Sequence, residues 1–203
     1  MGEDRTFLVQ NAQGIGGAAG HDQAWSQSIQ LADRLTQRPS KIADNDFLLA
    51  LFAESRPDLA LLPEAVRTQL IRMQFDSQLS QYRSSAPDAV DWILELKHPA
   101  EAAEPVGRCY LRQGPEEHHL LDLAISLQWR RHGLGSIVLA RLCADARRAG
   151  VPLRLSVWHA NQDALRLYLR HGFVADGAES GNDGDPSGMS GYLQLRWSAE
   201  GGR

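Results

Sequence analysis

The stretch Leu123-Ala-Ile-Ser-Leu-Gln-Trp-Arg-Arg-His-Gly-Leu-Gly-Ser136 decides the interpretation of the whole chain. An apolar run typical of a strand ends here, a short basic loop follows, and a segment with helical apolar spacing begins at once. The first N–H groups of a helix lack partners within it, and the helix dipole adds about half a positive charge there. Because Gly133 and Gly135 would let a large anion approach the backbone closely, the segment predicts a pyrophosphate-binding turn.

Charged side chains in the same loop strengthen this interpretation. Arg130, Arg131 and His132 add positive charge, Leu134 lies in the loop between the two glycines, and Ser136 begins the predicted helix that supplies N–H donors. The alternative is a tight strand-to-helix turn with surface arginines and no ligand.

A second informative segment runs from Leu155 to Phe173. Asn161 precedes Tyr168 by seven residues, or two helical turns, so both side chains project from one side of a helix about 10 Å apart. The alternatives are that Asn161 only caps the helix and that Tyr168 is a half-buried aromatic anchor.

Composition limits the class of protein. The chain has 203 residues, of which 43% are hydrophobic and 23% charged, as in one ordinary globular domain. A formal net charge of −4 argues against a nucleic-acid binder, which usually has a basic face. We find no apolar run long enough to cross a membrane, no signal peptide and no cysteine spacing typical of a metal site, so we expect a cytoplasmic protein that contacts no membrane.

Turn signals divide the chain into elements of an α/β, or mixed α+β, fold. Residues 1–27, rich in Gly, Ala and Gln, are expected to form a flexible N-terminal extension, and residues 28–203 one domain. A strand, helix and strand from His118 to Trp158 imply one parallel pair in an otherwise antiparallel sheet. The predicted strands are residues 28–38, 89–96, 105–112, 118–127, 153–158, 173–175 and 192–197. Four helices are predicted: one capped by Asp44, one running from Pro63 towards Tyr82, one over 136–149 and one capped by Asn161. Residues 177–191 are expected to form a flexible loop.

Together the two informative segments resemble the GNAT superfamily of N-acetyltransferases. The family's phosphate motif, Gln/Arg-x-x-Gly-x-Gly/Ala, matches Arg130, Gly133 and Gly135. Its later Asn…Ala…Tyr…Gly-Phe pattern matches Asn161, Ala164, Tyr168, Gly172 and Phe173. The resemblance implies a seven-stranded mixed sheet whose fourth and fifth strands splay apart, flanked by about four helices, with residues 28–203 as an acetyl-CoA-dependent N-acetyltransferase domain.

The resemblance also implies a function and roles for individual residues. Acetyl-CoA would serve as cosubstrate, without a metal, and its acetyl group would pass to a primary amine of a small molecule or peptide by direct attack. The backbone near Ile125 and Leu127 would bond the pantetheine arm, the loop from Arg130 to Ser136 would hold the pyrophosphate, Asn161 would touch the CoA arm, and Tyr168 would lie near the sulfur. A homodimer would be usual for the family. The alternative function is a non-catalytic acyl-CoA-binding regulatory module on the same fold.

The general base is less clearly indicated. Strict strand alternation puts His119, Leu121, Leu123 and Ile125 on one face and His118, Leu120, Asp122 and Ala124 on the other. Counted back from Arg130, His119 falls where some family members carry a base, and a histidine titrates near neutrality. Asp122, Glu95 and a water-mediated route remain alternatives. Along the second helix, Gln74, Gln78 and Tyr82 form a polar stripe that either faces solvent or contacts the acceptor.

Overall fold

The computed structural model describes residues 30–176 and 191–199. The predictions for residues 1–27 and for nearly all of the loop 177–191 therefore lie outside the described residues. The strands are β1 (Leu35–Pro39), β2 (Val90–Leu96), β3 (Glu104–Gln113), β4 (His118–Ile125), β5 (Leu153–Trp158), β6 (Val174–Ala175) and β7 (Tyr192–Trp197). The longer helices are α1 (Asn45–Ala53), α2 (Glu64–Ser85), α3 (Leu134–Ala149) and α4 (Gln162–Arg170), with short 3₁₀ helices at Ile42–Asp44, Pro57–Leu59 and Leu127–Trp129.

Seven strands form one mixed sheet in the order β1-β2-β3-β4-β5-β7-β6. The β4–β5 pair is parallel, and the other neighbouring pairs are antiparallel. This arrangement confirms the predicted mixed α/β fold. The prediction of a first strand over 28–38 is wrong in part, because residues 30–34 are helical and β1 begins only at Leu35.

The two faces of the sheet are covered by different helices. On one face, Leu48 of α1 and Phe75 of α2 pack with Ile93 of β2 into a buried cluster. Helix α3 has its own buried stripe, from Leu134 through Leu139 to Ala146, and Gly150 ends it in the left-handed conformation at φ 70°. Both cysteines of the chain are buried and unbridged.

A bulge in β4 determines which side chains share a face. Tyr110 pairs with Asp122, but the next residue, Leu111, pairs with Leu120, so Leu121 is an extra residue in β4. The prediction that Leu120 and Asp122 share a face is therefore wrong. Asp122 lies on the α1–α2 face with Tyr110, whereas Leu120 lies on the opposite face with Leu111.

The start of α1 is held by an ion-pair network rather than by the predicted cap. Asp44 occupies the N-cap position, yet its side chain makes no capping bond to α1. Its carboxylate instead accepts bonds from Arg38 Nη1 and Nη2, at 2.7 and 2.8 Å, and from the Lys41 N–H at 2.7 Å. Arg38 also donates through Nε to Glu95 at 2.8 Å, which links β1, α1 and β2. The bond from Arg38 lowers the pKa of Asp44 to about 2.

We predict that Asp44→Asn lowers the free energy of unfolding at pH 7 by about 1–2 kcal/mol, because it removes a charge-assisted bond. A carboxyl group whose pKa is depressed by folding stabilises the fold above its unfolded pKa and loses this effect as pH falls through its folded pKa. The difference in the free energy of unfolding between wild type and Asp44→Asn should therefore become smaller as pH falls from about 4 towards 2. Urea unfolding of both proteins across this pH range measures the difference. A difference that does not change with pH would contradict the role of the Arg38–Asp44 ion pair.

Candidate functional site

A gap opens in the middle of the sheet, where β4 and β5 stop pairing. Their parallel register covers only His118–Leu153, His119–Arg154 and Leu120–Leu155. Beyond these pairs β4 continues to Ile125, and β5 continues to Trp158 while paired only with β7 on its other side. Five residues of β4 therefore present an unpaired backbone edge to the gap, which confirms the predicted splaying of the fourth and fifth strands.

The backbone of Ile125 faces this gap. The N–H of the following residue, Ser126, donates to the Val106 carbonyl on β3 at 2.9 Å. Because successive amides of a strand point to opposite sides, the amide of Ile125 points away from β3 and towards β5. A ligand lying along the gap can thus form strand-like bonds with β4.

An anion cradle closes one end of the gap. In the loop after β4, Arg131 and Gly133 both have left-handed backbones, with φ values of 67° and 85°. Left-handed residues beside a helix start turn successive N–H groups inwards, which makes a concave site for an anion. Gly133 is the N-cap of α3 and makes no side-chain cap, so the first-turn N–H groups of Leu134, Gly135 and Ser136 are left for a ligand. This geometry fits a pyrophosphate.

The side chains of the loop differ in their placement. Arg130 turns back onto the sheet: its Nε donates to the Ile125 carbonyl at 2.8 Å, and its Nη2 lies 3.6 Å from Glu54 Oε2. Arg131 and His132 are exposed, and His132 Nδ1 donates to the Arg130 carbonyl at 2.9 Å. Arg130 therefore braces the loop, while Arg131 and His132 remain beside the cradle.

Gly135 has a packing role that the motif alone did not suggest. A Cβ at this position would come within 3.2 Å of Leu167 Cδ2 on α4. The missing side chain therefore lets the first turn of α3 approach α4 closely.

Asn161 acts as the N-cap of α4, because its Oδ1 accepts the Ala164 N–H at 3.2 Å. The amide nitrogen of Asn161 is not used by that bond.

Leu127 is not a strand residue, contrary to the prediction. Strand β4 ends at Ile125, and Leu127 begins a 3₁₀ turn. Its N–H donates to Glu54 Oε2 at 2.6 Å, so the end of α1 is tied to the end of β4. The sequence gives no signal for this contact, since 73 positions separate the two residues.

Tyr168 of α4 has its ring in the core. It is 8% exposed, and its ring centre is 5.7 Å from that of Phe173. Burial raises the pKa of its hydroxyl, and the negative charge of Asp122 raises it further. Tyr168 therefore keeps its proton at neutral pH.

Asp122 shares a buried arginine with a second carboxylate. Arg108, 3% exposed, donates to Asp91 Oδ1 at 2.7 Å and Oδ2 at 3.0 Å, and its Nη1 lies 3.5 Å from Asp122 Oδ2. One cation thus faces two carboxylates, and Asp122 has the weaker contact. Burial raises the pKa of Asp122, and Asp91 adds to the rise against the opposing effect of Arg108. A carboxylate of raised basicity is suited to accept a proton.

His119 occupies a different position from Asp122. His119 pairs with Arg154 of β5, where β4 and β5 are still joined, and with Arg112 of β3 on its other side. Burial lowers the pKa of His119, and the charges of Arg112 and Arg154 lower it further against the opposing charge of Glu117. The ring is neutral at pH 7, but it lies where the strands are still joined rather than along the open edge.

The α2 stripe points towards the sheet rather than to solvent. Tyr82 stacks on Tyr110 with ring centres 5.1 Å apart and donates to the Leu121 carbonyl at 3.2 Å. Since Leu121 is the extra residue of the bulge, Tyr82 satisfies a carbonyl that lacks its usual ladder partner. Gln74 accepts a bond from Arg56, and Gln78 Oε1 is buried without a partner.

Comparison with protein families identifies the class. The family model described as "Acetyltransferase (GNAT) family" matches residues 62–173. This range contains β4, the anion cradle, α3 and Tyr168, and it covers more than half of the chain. The chain belongs to the GNAT acetyltransferase family.

Solved structures share the fold at low sequence identity. PaiA N-acetyltransferase from Thermoplasma acidophilum, solved in complex with coenzyme A, is 16% identical with a TM-score of 0.55, covering 81% of this chain and 98% of that one. An acetyltransferase from Thermus thermophilus is 24% identical with a TM-score of 0.54, covering 81% and 97%. Ard1 from Thermoplasma volcanium is 18% identical with a TM-score of 0.51, again covering 81% and 97%. A search of curated protein sequences found no match.

Two kinds of feature are absent from the part of the chain that the structure describes. In residues 30–176 and 191–199, no helix is both long and apolar enough for a membrane span. The same residues contain no group of three or more His, Cys, Asp or Glu side chains arranged to hold a metal ion.

We predict that Ser136→Asp has opposite effects on folding and on ligand binding. An acidic residue in the first turn of α3 interacts favourably with the helix dipole, which should raise the melting temperature by about 1–3 °C. The same charge repels a pyrophosphate in the cradle, which should raise the Kd for coenzyme A about tenfold.

Ala65→Asp, at an exposed position in the first turn of α2, is the matched control, and calorimetry measures both variants. It should leave the Kd for coenzyme A unchanged. Equal Kd values for wild type and Ser136→Asp would contradict an anion site at this helix start.

Proposed function

We propose that the protein is an N-acetyltransferase that transfers an acetyl group from acetyl-CoA to a primary amine by direct attack. One observation carries the proposal: the β4 edge beyond Leu120 is unpaired, and the anion cradle lies at its end. A strand-like edge followed by an anion site fits a ligand with a peptide-like arm and a pyrophosphate. Acetyl-CoA has this form, and it supplies the acetyl group as a thioester.

Different residues along the gap would bind different parts of acetyl-CoA. The free backbone of β4 near Ile125 would bond the pantetheine arm, and N–H groups on this edge would stabilise negative charge developing on the thioester oxygen. Residues Arg131 to Ser136 would hold the pyrophosphate. The amide nitrogen of Asn161 remains available for the CoA arm. Binding both substrates in one cleft supplies much of the rate enhancement.

The reaction needs one residue to accept a proton and one to donate a proton. The attacking amine must lose a proton, because an alkylamine has a pKa near 10.4 and is charged at neutral pH. We assign this proton to Asp122, which lies on the open part of β4 and has a raised pKa, rather than to His119 in the closed ladder. As nitrogen bonds to the acetyl carbon and the carbon–sulfur bond breaks, Tyr168 would give its proton to the departing sulfur. The second proton that the nitrogen loses as the amide forms would pass through solvent and restore the Tyr168 hydroxyl.

We predict that Tyr168→Phe lowers kcat about 10²-fold while the Kd for coenzyme A stays unchanged, because only the proton donor is removed. Thiol release from acetyl-CoA, measured against a panel of amines, amino acids and short peptides, tests this. Acceptor-dependent release by the wild type would establish transfer. Coenzyme A binding without release to any acceptor would instead favour the non-catalytic acyl-CoA-binding module.

We predict that Asp122→Asn lowers kcat by a similar factor and removes the lower pKa from the pH profile of kcat. Asp91→Asn is the matched control, since Asp91 holds the same arginine more tightly. It should lower stability and keep the lower pKa in the profile, shifted to lower pH because Asp91 no longer raises the pKa of Asp122. If His119→Asn abolishes the lower pKa and Asp122→Asn does not, the base is His119.

A further inference from the structure

The end of the open edge of β4 is held by a side chain instead of a neighbouring strand. Ile125 pairs with Gly107 of β3, and the next amide, the Ser126 N–H, donates to the Val106 carbonyl at 2.9 Å. In this antiparallel pattern the N–H and the C=O of Ile125 both point away from β3 and into the gap. The carbonyl accepts a bond from Arg130 Nε at 2.8 Å, so Arg130 supplies a partner that β5 does not offer there.

Glu54 holds this arrangement at two further points. Its Oε2 accepts the Leu127 N–H at 2.6 Å and lies 3.6 Å from Arg130 Nη2. A bond from an N–H group to a carboxylate is stronger than one between neutral groups. One carboxylate oxygen therefore fixes both the backbone just beyond β4 and the guanidinium that bonds the final residue of the strand.

The position of Glu54 is itself fixed by a packed helix. Glu54 is the C-cap of α1, and Leu51, about one turn earlier, is 3% exposed. Leu48 of the same helix lies in the buried cluster with Ile93 of β2. A side chain carried by a rigid element can hold a loop in one geometry, because its own place does not vary.

This geometry gives Arg130 a role that differs from the one implied by its motif. The motif places Arg130 in the pyrophosphate loop, but its guanidinium faces the Ile125 carbonyl and Glu54, which partly compensates its charge. The N–H groups at the start of α3 and the exposed side chains of Arg131 and His132 are left for an anion. Arg130 therefore supports the strand edge rather than the anion cradle.

A strand edge without a neighbour opens more easily than a paired one, and a ligand that must first order its site binds more weakly. We propose that Glu54 is a positioning residue for the coenzyme A site. Through Arg130 and the Leu127 N–H, it holds Ile125 in the extended conformation that bonds the pantetheine arm. This inference rests on the ligand-binding part of the proposed function and not on acetyl transfer.

Hydrogen exchange in the protein without ligand tests whether Glu54 holds these groups. The Leu127 amide and the Arg130 Nε–H are both bonded, and each gives its own signal in ¹⁵N spectra. We expect Glu54→Ala to speed the exchange of both about tenfold, because their shared anchor is removed. Unchanged exchange at Arg130 Nε would overturn the proposal.

Calorimetry with two ligands tests whether this positioning serves the arm. ADP carries a diphosphate but no pantetheine arm, so it probes the anion cradle alone. We expect Glu54→Ala to raise the Kd for coenzyme A about fivefold and to leave the Kd for ADP unchanged. Glu116→Ala is the matched control, since it removes the same charge from an exposed turn before β4, and it should change neither Kd.

Two results of this titration would overturn the proposal. An equal loss of affinity for coenzyme A and ADP would assign Glu54 to the anion cradle. A lower Kd for coenzyme A in Glu54→Ala would show that Glu54 acts only as a negative charge near an anion.

A double-mutant cycle tests whether Glu54 acts through Arg130. Glu54→Gln keeps an acceptor for the Leu127 N–H but removes the charge that faces Arg130. It should raise the Kd for coenzyme A about threefold in the wild-type background and have no effect beside Arg130→Met. Equal effects in both backgrounds would overturn the route through Arg130. Coenzyme A binding without acetyl transfer to any acceptor would overturn the proposed function alone, because each of these tests measures exchange or binding.

Discussion

The bulge at Leu121 is the constraint on which the candidate site depends. A bulged strand bends and twists more strongly than a regular one, and the parallel pairing of β4 with β5 ends one residue before the bulge, at Leu120. The bend leaves the rest of β4 with a free backbone edge, and it turns Asp122 onto the face that carries Arg108. Tyr82 compensates the distortion by bonding the Leu121 carbonyl.

The charged groups of the candidate site lie on β4 or next to it. On the face covered by α1 and α2, two carboxylates share Arg108. Burial and the neighbouring charge of Asp91 raise the pKa of Asp122, against the opposing effect of Arg108. Beyond the end of β4, the cradle offers only donors to an incoming anion. The proposed function therefore places a proton acceptor and an anion site at different points along one strand. This separation is what transfer from an anionic, phosphate-bearing donor to an amine needs.

Much of the fold could be predicted because it rests on local signals. The apolar stripe of α3, the glycine after Ala149 and the short turns between β2, β3 and β4 are encoded within a few residues. The bulge could not be predicted, since an extra residue in one strand depends on its pairing with another. The contacts of Glu54 with Leu127 and of Gly135 with Leu167 were equally inaccessible, because they join distant segments. Asp44 was predicted as a helix cap, yet the stronger partner Arg38 takes its carboxylate.

The proposed function requires a CoA-bearing ligand to bind along the free β4 edge, with its pyrophosphate at the start of α3. Backbone amide chemical shifts of the ¹⁵N-labelled protein, recorded with and without coenzyme A, test this claim most directly. We expect large shifts at Leu123, Ile125 and residues 133–136, with small ones at β1 and β2. Binding of coenzyme A that leaves residues 133–136 unshifted would contradict it.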